Sequence, residues 1–138
     1  GDTFRWKGEN VATTEVESGL DTAPGIAESV VYGVEVPGTD GRAGMGAITL
    51  AEGADLDPKA VADHLYATLP AYAVPLFLRE VQAIEATSTF KNRKVDLRNE
   101  SYTEVGDDTV WVLKGRQDGY VPIYPEYPDD VAAAKAPR

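Results

Sequence analysis

Apolar positions alternate with polar ones in Thr3-Phe-Arg-Trp6, which predicts a short strand with Phe4 and Trp6 on one face and a tight turn at Gly8. Thr13 and Thr14 precede Glu15 and Glu17, and a hydroxyl followed by acids predicts a helix over 13–21. Pro24 and Gly25 end it. AESVVYGVEV, between Ile26 and Pro37, is β-branched and partly alternating and predicts a strand, with GMGAITL at 44–50 as its antiparallel partner. Asp57-Pro58 opens a second helix with proline at its first position, and Val61, Leu65 and Leu69, spaced by fours, form its buried stripe. Pro70 and Pro75 pin the loop that follows. LFLREVQAI at 76–84 reads as a strand, either central or part of a second hairpin. A short helix over Lys94–Glu100 and a strand at Thr109–Leu113 come next. The rest reads as loop rich in proline and tyrosine, with a weak helix or disordered tail in the last ten residues. The order β-α-β-β-α-β-α-β predicts an α+β domain, a small mixed sheet with helices against it.

Charge adds one feature to this outline. The chain carries a formal net charge of -10, yet Lys91, Arg93, Lys94 and Arg98 fall within eight positions of one another. A cationic tip on an anionic body suits a phosphate or a carboxylate, although a solvated helix start has the same composition. The glycine-rich loop Pro37–Gly44 invites a second anion site. No Lys-Ser/Thr follows its glycines, and no helix does, so a hairpin loop is the expectation.

Composition removes several function classes. Of 138 residues none is cysteine, which excludes disulfides, thiolate metal sites and a thiol nucleophile. His64, the single histidine, rules out a multi-histidine metal centre and is expected at the surface or boundary of its helix. The acidic balance argues against nucleic-acid binding. No apolar run approaches the ~20 residues of a membrane span, and no signal peptide is evident. The length fits one domain. With Gly1 first and Met45 the lone methionine, the chain reads as an excised or processed piece.

Two separated motifs then agree. In FRWKGENVATTEVE, Gly8, Asn10, Val11, Glu15, Val16 and Glu17 resemble the linker-proximal motif of adenylate-forming enzymes: a glycine, a polar residue, an aliphatic, then Glu-aliphatic-Glu. Lys94-Val-Asp-Leu97 resembles the Gly-Lys-Val-Asp-Arg run that carries the catalytic lysine of that superfamily. The wording FRWKGENV, LPAYAVPLFLR (69–79) and TSTFKNRKVDL is similar to the fatty-acid transport protein branch, the very-long-chain acyl-CoA synthetases. The likeness runs from Gly1 to about Tyr124. It departs from the family at Arg93, which replaces the glycine before the lysine and leaves Lys91 as a rival.

The resemblance implies a C-terminal lid domain at 1–125, with an N-terminal β-hairpin, and a tail at 126–138. It implies acyl-adenylate and then acyl-CoA formation from ATP and CoA with Mg2+, all bound mainly through a larger N-terminal domain of the same enzyme, so that this piece alone is inactive. Lys94 would be the adenylation lysine. Gly8 would line the pantetheine tunnel, flanked by Lys7, Glu9, Asn10 and Trp6 as candidate CoA contacts, with strand packing equally open for Trp6. Glu15 and Glu17 read as a helix N-terminal pair. A fatty acid would reach the enzyme through the N-terminal domain, and the whole protein would be cytoplasmic or peripheral on the cytoplasmic face of a membrane. A lid from another acid–CoA ligase, or a non-catalytic interaction domain of the same fold, are the alternatives.

Overall fold

The computed structural model describes residues 2–84 and 90–138, and for 90–92 the backbone alone. The first residues of the TSTFKNRKVDL run and the Lys91 side chain therefore lie outside the described residues. Strands β1 (Thr3–Trp6) and β2 (Glu9–Ala12) form an antiparallel hairpin, and α1 (Thr13–Asp21) follows directly. β3 (Ile26–Val34) and β4 (Ala43–Leu50) are antiparallel, then come α2 (Pro58–Thr68), a 3-10 turn at Ala71–Ala73 and β5 (Phe77–Glu80). α3 (Phe90–Glu100), β6 (Val110–Gly115), β7 (Gly119–Pro122) and α4 (Tyr127–Ala132) complete the chain.

The main sheet has the order β3-β4-β5-β6-β7, with β4 and β5 parallel and the other pairs antiparallel. The α+β class, the mixed sheet and the N-terminal hairpin are as expected. β5 is the central strand. Successive side chains on a strand point to opposite faces, so Phe77 and Leu78 mark the two sides of the sheet. Leu78 lies with Leu20 of α1 around Gly46, and α1 and α2 cover this face. Phe77 faces the other way, stacked on Tyr102 at 4.3 Å between ring centroids and edge-on to Tyr127 of α4 at 5.5 Å. Arg79, two residues on, points the same way as Phe77.

Two expectations need correction, at β7 and at the start of α1, and the C-terminal stretch takes the helical one of its two expected states. β7 falls in the stretch expected to be loop rich in proline and tyrosine. It is the edge strand of the sheet, where the missing N–H of Pro122 breaks no ladder. The last residues carry α4, whose Tyr127 is wholly buried and donates its hydroxyl to the Leu113 carbonyl at 2.8 Å. Ala136 is buried too, so packing runs on past residue 125. Finally, no threonine hydroxyl caps α1. Its N-cap is Ala12, and Thr13 donates both its N–H (3.0 Å) and its hydroxyl (3.1 Å) to the carbonyl of Asp2.

Other local rules hold. Asp57 caps α2 by accepting from the Ala60 N–H at 3.1 Å, with Pro58 at the first position. Val61, Leu65 and Leu69 are buried as their spacing required. The 37–42 loop closes a hairpin and lies back on β1, where Arg42 N–H donates to Arg5 O at 2.8 Å. A Cβ on Gly41 would sit 2.3 Å from that carbonyl, so the glycine serves close packing there.

Candidate functional site

Lys94 sits midway along α3, with only 16% of its side chain exposed, and its ammonium donates to Asp2 Oδ2 at 2.6 Å. Asp2 immediately precedes β1, so the lysine reaches the open end of the N-terminal hairpin. The Lys94 hydrogen bond holds the Asp2 carboxyl below the ordinary carboxylate range, helped by the nearby charge of Arg98. Asp2 is itself 54% exposed. The ion pair is thus at the surface, and the ammonium is neither in the core nor free. Arg98 is exposed, and Arg93 lies 3.9 Å from Glu100.

The opposite end of the hairpin carries the turn. Trp6 and Glu9 are the last paired residues, which leaves a two-residue loop, and both Lys7 (φ 51) and Gly8 (φ 79) adopt left-handed backbone. Positive φ at both central positions is the geometry that matches the twist of paired strands, and glycine supplies it without strain. Nothing lies within 4 Å of where a Gly8 Cβ would be, so the backbone stands open to an approaching group. Lys7, Glu9 and Asn10 are exposed around it, and Arg5 donates to Asn10 Oδ1 at 3.4 Å.

Trp6 differs from its neighbours. Trp6 is buried, 3% exposed, with the Lys7 ammonium 5.7 Å from the centre of its ring. From Asp2 to Lys7 is five extended residues, roughly 17 Å at ~3.3 Å each. The hairpin therefore sets Lys94 and Gly8 apart and does not bring them together. An open cleft of about 1320 Å³, walled by Asp2, Arg5, Glu35, Arg42, Arg98 and Tyr102 among others, lies between the hairpin and the C-terminal end of α3.

Other candidates resolve into structure. Glu17 accepts the Val31 N–H at 2.9 Å and so closes part of the exposed edge of β3. His64 Nε2 lies 2.9 Å from Thr22 Oγ1 and 3.1 Å from the Gly19 carbonyl, a half-buried link between α1 and α2.

Sequence reasoning missed Asp2, whose partner is 92 positions away, and it missed Arg79. The Arg79 side chain is 7% exposed; its Nη1 donates to Glu100 Oε1 at 2.7 Å and its Nε to Asp108 Oδ2 at 2.8 Å. Burial opposes its charge, but the two carboxylates outweigh burial and raise its pKa. An arginine inside an apolar strand run was the one available signal, and it names no partner.

The chain is similar to known proteins in sequence and in fold. The chain matches the AMP-binding enzyme C-terminal domain over residues 15–91. It is 53% identical over 138 residues to the medium/long-chain-fatty-acid–CoA ligase FadD6 of Mycobacterium tuberculosis, covering 100% of the chain and 23% of that protein. To long-chain fatty acid transport protein 2 of Rattus norvegicus it is 45% identical over 124 residues, 89% of the chain and 20% of that protein. Among solved structures, ATP-bound MatB from Rhodopseudomonas palustris superposes with a TM-score of 0.56 at 28% identity, over 67% of this chain and 18% of that one. The chain thus spans about a fifth to a quarter of the length of the curated relatives it matches.

Proposed function

Because the chain belongs to the AMP-binding enzyme C-terminal domain family, we propose that it is the mobile cap of a fatty acid–CoA ligase. In one pose it would set Lys94 at the acyl–phosphate junction, and in another it would set the Gly8 turn beside the path of CoA. The observation that carries this reading is the placement of Lys94 and Gly8 at opposite ends of one hairpin. Groups so far apart, one reaching the hairpin from α3 and the other in the hairpin turn, would serve one reaction centre only in turn, which is what two half-reactions require.

In the first half-reaction a carboxylate oxygen of the fatty acid attacks the α-phosphorus of ATP. The bond to the bridging oxygen breaks, and pyrophosphate leaves. Negative charge gathers between two anions, and an ammonium on a flexible stem offsets it while orienting the carboxylate. Lys94 would exchange Asp2 for those anions. Because Asp2 is half exposed, the pair it gives up is weak.

In the second half-reaction the sulfur of CoA attacks the acyl carbonyl, the bond to phosphate breaks, AMP leaves and the thiol proton passes to solvent. The bare Gly8 backbone leaves room for the pantetheine chain, and Lys7, Glu9 and Asn10 offer it polar contacts. Trp6 supports the turn from beneath. Residues 126–138 would move with the cap, since Tyr127 and Ala136 belong to its core.

ATP, the acyl chain and Mg2+ would be held mainly by a larger N-terminal domain of the same enzyme. Among the described residues no group of three or more His, Cys, Asp or Glu is placed to hold a metal ion. The fatty acid as substrate rests on the names of the relatives, a medium/long-chain-fatty-acid–CoA ligase and long-chain fatty acid transport proteins. Such an enzyme would act in the cytoplasm or peripherally on the cytoplasmic face of a membrane, where long-chain acids partition. No described helix is long and apolar enough to cross one.

Lys94→Ala in the enzyme that carries this domain tests the reading. Adenylation, followed by pyrophosphate release, should fall about 10²–10³-fold, the cost of losing one preorganised electrostatic donor. Thioester formation from supplied acyl-adenylate should be unchanged. Equal loss of both half-reactions rejects the role of Lys94.

A further inference from the structure

We propose that Arg79 and Glu100 form the positioning device for Lys94: a half-buried charge tie that fixes where α3, and hence its lysine, stands on the sheet. The proposal rests on the adenylation role of Lys94 given above.

The described side chains of α3 give it little apolar hold. Among its described side chains, 93–100, Leu97 alone is wholly buried, while Val95, Asp96, Arg98 and Asn99 are exposed. Over that described stretch a single apolar contact leaves rotation and sliding unopposed, because hydrophobic contact has no preferred direction. Directional bonds supply what is missing. Arg79 belongs to the central strand, the best-fixed part of the sheet, and its guanidinium is a rigid planar fork. One arm, Nη1, takes Glu100 in the last turn of α3 at 2.7 Å. The other, Nε, takes Asp108 at 2.8 Å, which holds the fork in its plane.

Glu100 and Leu97 are three residues apart, on one face of the helix. Together they define an axial position and a rotation. Lys94 lies three residues before Leu97 and is carried with them. Arg93, also of α3, approaches the second oxygen of Glu100 at 3.9 Å. Just beyond the helix, Tyr102 stacks on Phe77, two residues before Arg79 on the same side of the same strand. The C-terminal end of α3 is therefore clamped to β5, and the lysine, about two turns before it, reaches toward the hairpin.

This arrangement differs from a merely stabilising ion pair in what its loss should do. An untied α3 would leave the Gly8 turn and the second half-reaction alone and would misplace the ammonium in the first. Glu100→Gln in the full-length enzyme keeps the size of the side chain and removes its charge. Adenylation should fall at least tenfold, with thioester formation from supplied acyl-adenylate unchanged, and amide hydrogen exchange should quicken over residues 93–100. Arg79→Lys retains a charge but cannot grip both carboxylates in one plane, and should show the same split. Asp57→Ala, which removes the cap of α2, is the comparator: the melting temperature drops, while the ratio of the two half-reactions holds.

The proposal is overturned if Glu100→Gln slows both half-reactions equally, if it leaves adenylation intact while Lys94→Ala abolishes it, or if exchange across α3 does not change. Full adenylation in Lys94→Ala is a different failure. It removes the role of Lys94 itself, while the exchange pattern still reports whether Glu100 ties the helix down.

Discussion

Helices α2 and α3 are both 11 residues long and both lie against the same sheet, yet they are fastened in opposite ways. α2 buries Val61, Ala62 and Leu65 without remainder, starts at a capped Asp57-Pro58, and carries no residue given a part in the reaction. Among its described side chains α3 buries Leu97 and is otherwise held by ions: Glu100 to Arg79 at one end, Lys94 to Asp2 toward the other. Apolar burial gives strength without direction. Charged hydrogen bonds give direction with less net strength, because desolvation cancels much of their attraction. A helix that only covers the sheet needs the first. One that, on the proposed role, would deliver an ammonium to a particular point and let it go from Asp2 on docking needs the second.

The contrast breaks most visibly at the core. Leu65→Ala in α2 should cost about 2–5 kcal/mol of unfolding free energy, from lost burial plus the cavity left behind, measured by denaturant titration. Both half-reactions should fall together with the folded fraction. A cost under about 1 kcal/mol would mean that α2 is not fastened as described.

Next in size is the Gly8 turn, where backbone strain and occupied space must be separated. Asparagine tolerates left-handed backbone far better than leucine does. Gly8→Asn should therefore keep stability close to normal and slow thioester formation severalfold. Gly8→Leu should slow it at least tenfold and also lose about 1–3 kcal/mol of stability, because φ 79 is a strained value for a side chain of that shape. Adenylation should survive in both. Normal CoA transfer in Gly8→Leu would remove the turn from the second half-reaction.

A smaller effect is expected at the α2 cap. Asp57→Ala removes the acceptor of the Ala60 N–H and should cost about 1 kcal/mol, read as a lowered melting temperature with the half-reaction ratio unchanged.

What could be read from residues alone follows the same division. α2 was legible end to end, because its cap, its proline and its apolar spacing are local. So were the β3–β4 hairpin and the Phe4/Trp6 face of β1. β7 was not, since Gly119 and Pro122 carry turn chemistry that an edge strand tolerates. α1 starts where expected but on other grounds: Thr13 donates its N–H and hydroxyl to the Asp2 carbonyl, which hairpin pairing brings to it. Lys94 and Gly8 were picked out by likeness to a motif. Their supports, Asp2 and the Arg79–Glu100–Asp108 group, join residues 21 to 92 positions apart, and no local pattern encodes such a pair.

The Asp2–Lys94 pair is the smallest and sharpest test. Lys94 lowers the pKa of Asp2, so the pair contributes fully above the ordinary aspartate value of about 3.9 and is lost as pH falls through the lower, folded-state value. Acidifying from pH 7 to 5 should therefore not release the lysine. In the enzyme, release must come from a competing anion, the role assigned to the substrate carboxylate and phosphate. A carbon-13 titration of the Asp2 carboxyl should give a midpoint below about 3.9, returning to it in Lys94→Ala. Asp2→Asn should leave stability nearly unchanged, as surface ion pairs are worth about 0–1 kcal/mol, and should alter adenylation by no more than about fivefold, in the direction of faster. A midpoint at or above the ordinary value, or a large loss of adenylation in Asp2→Asn, would make Asp2 a part of the reaction and not the resting partner of its lysine.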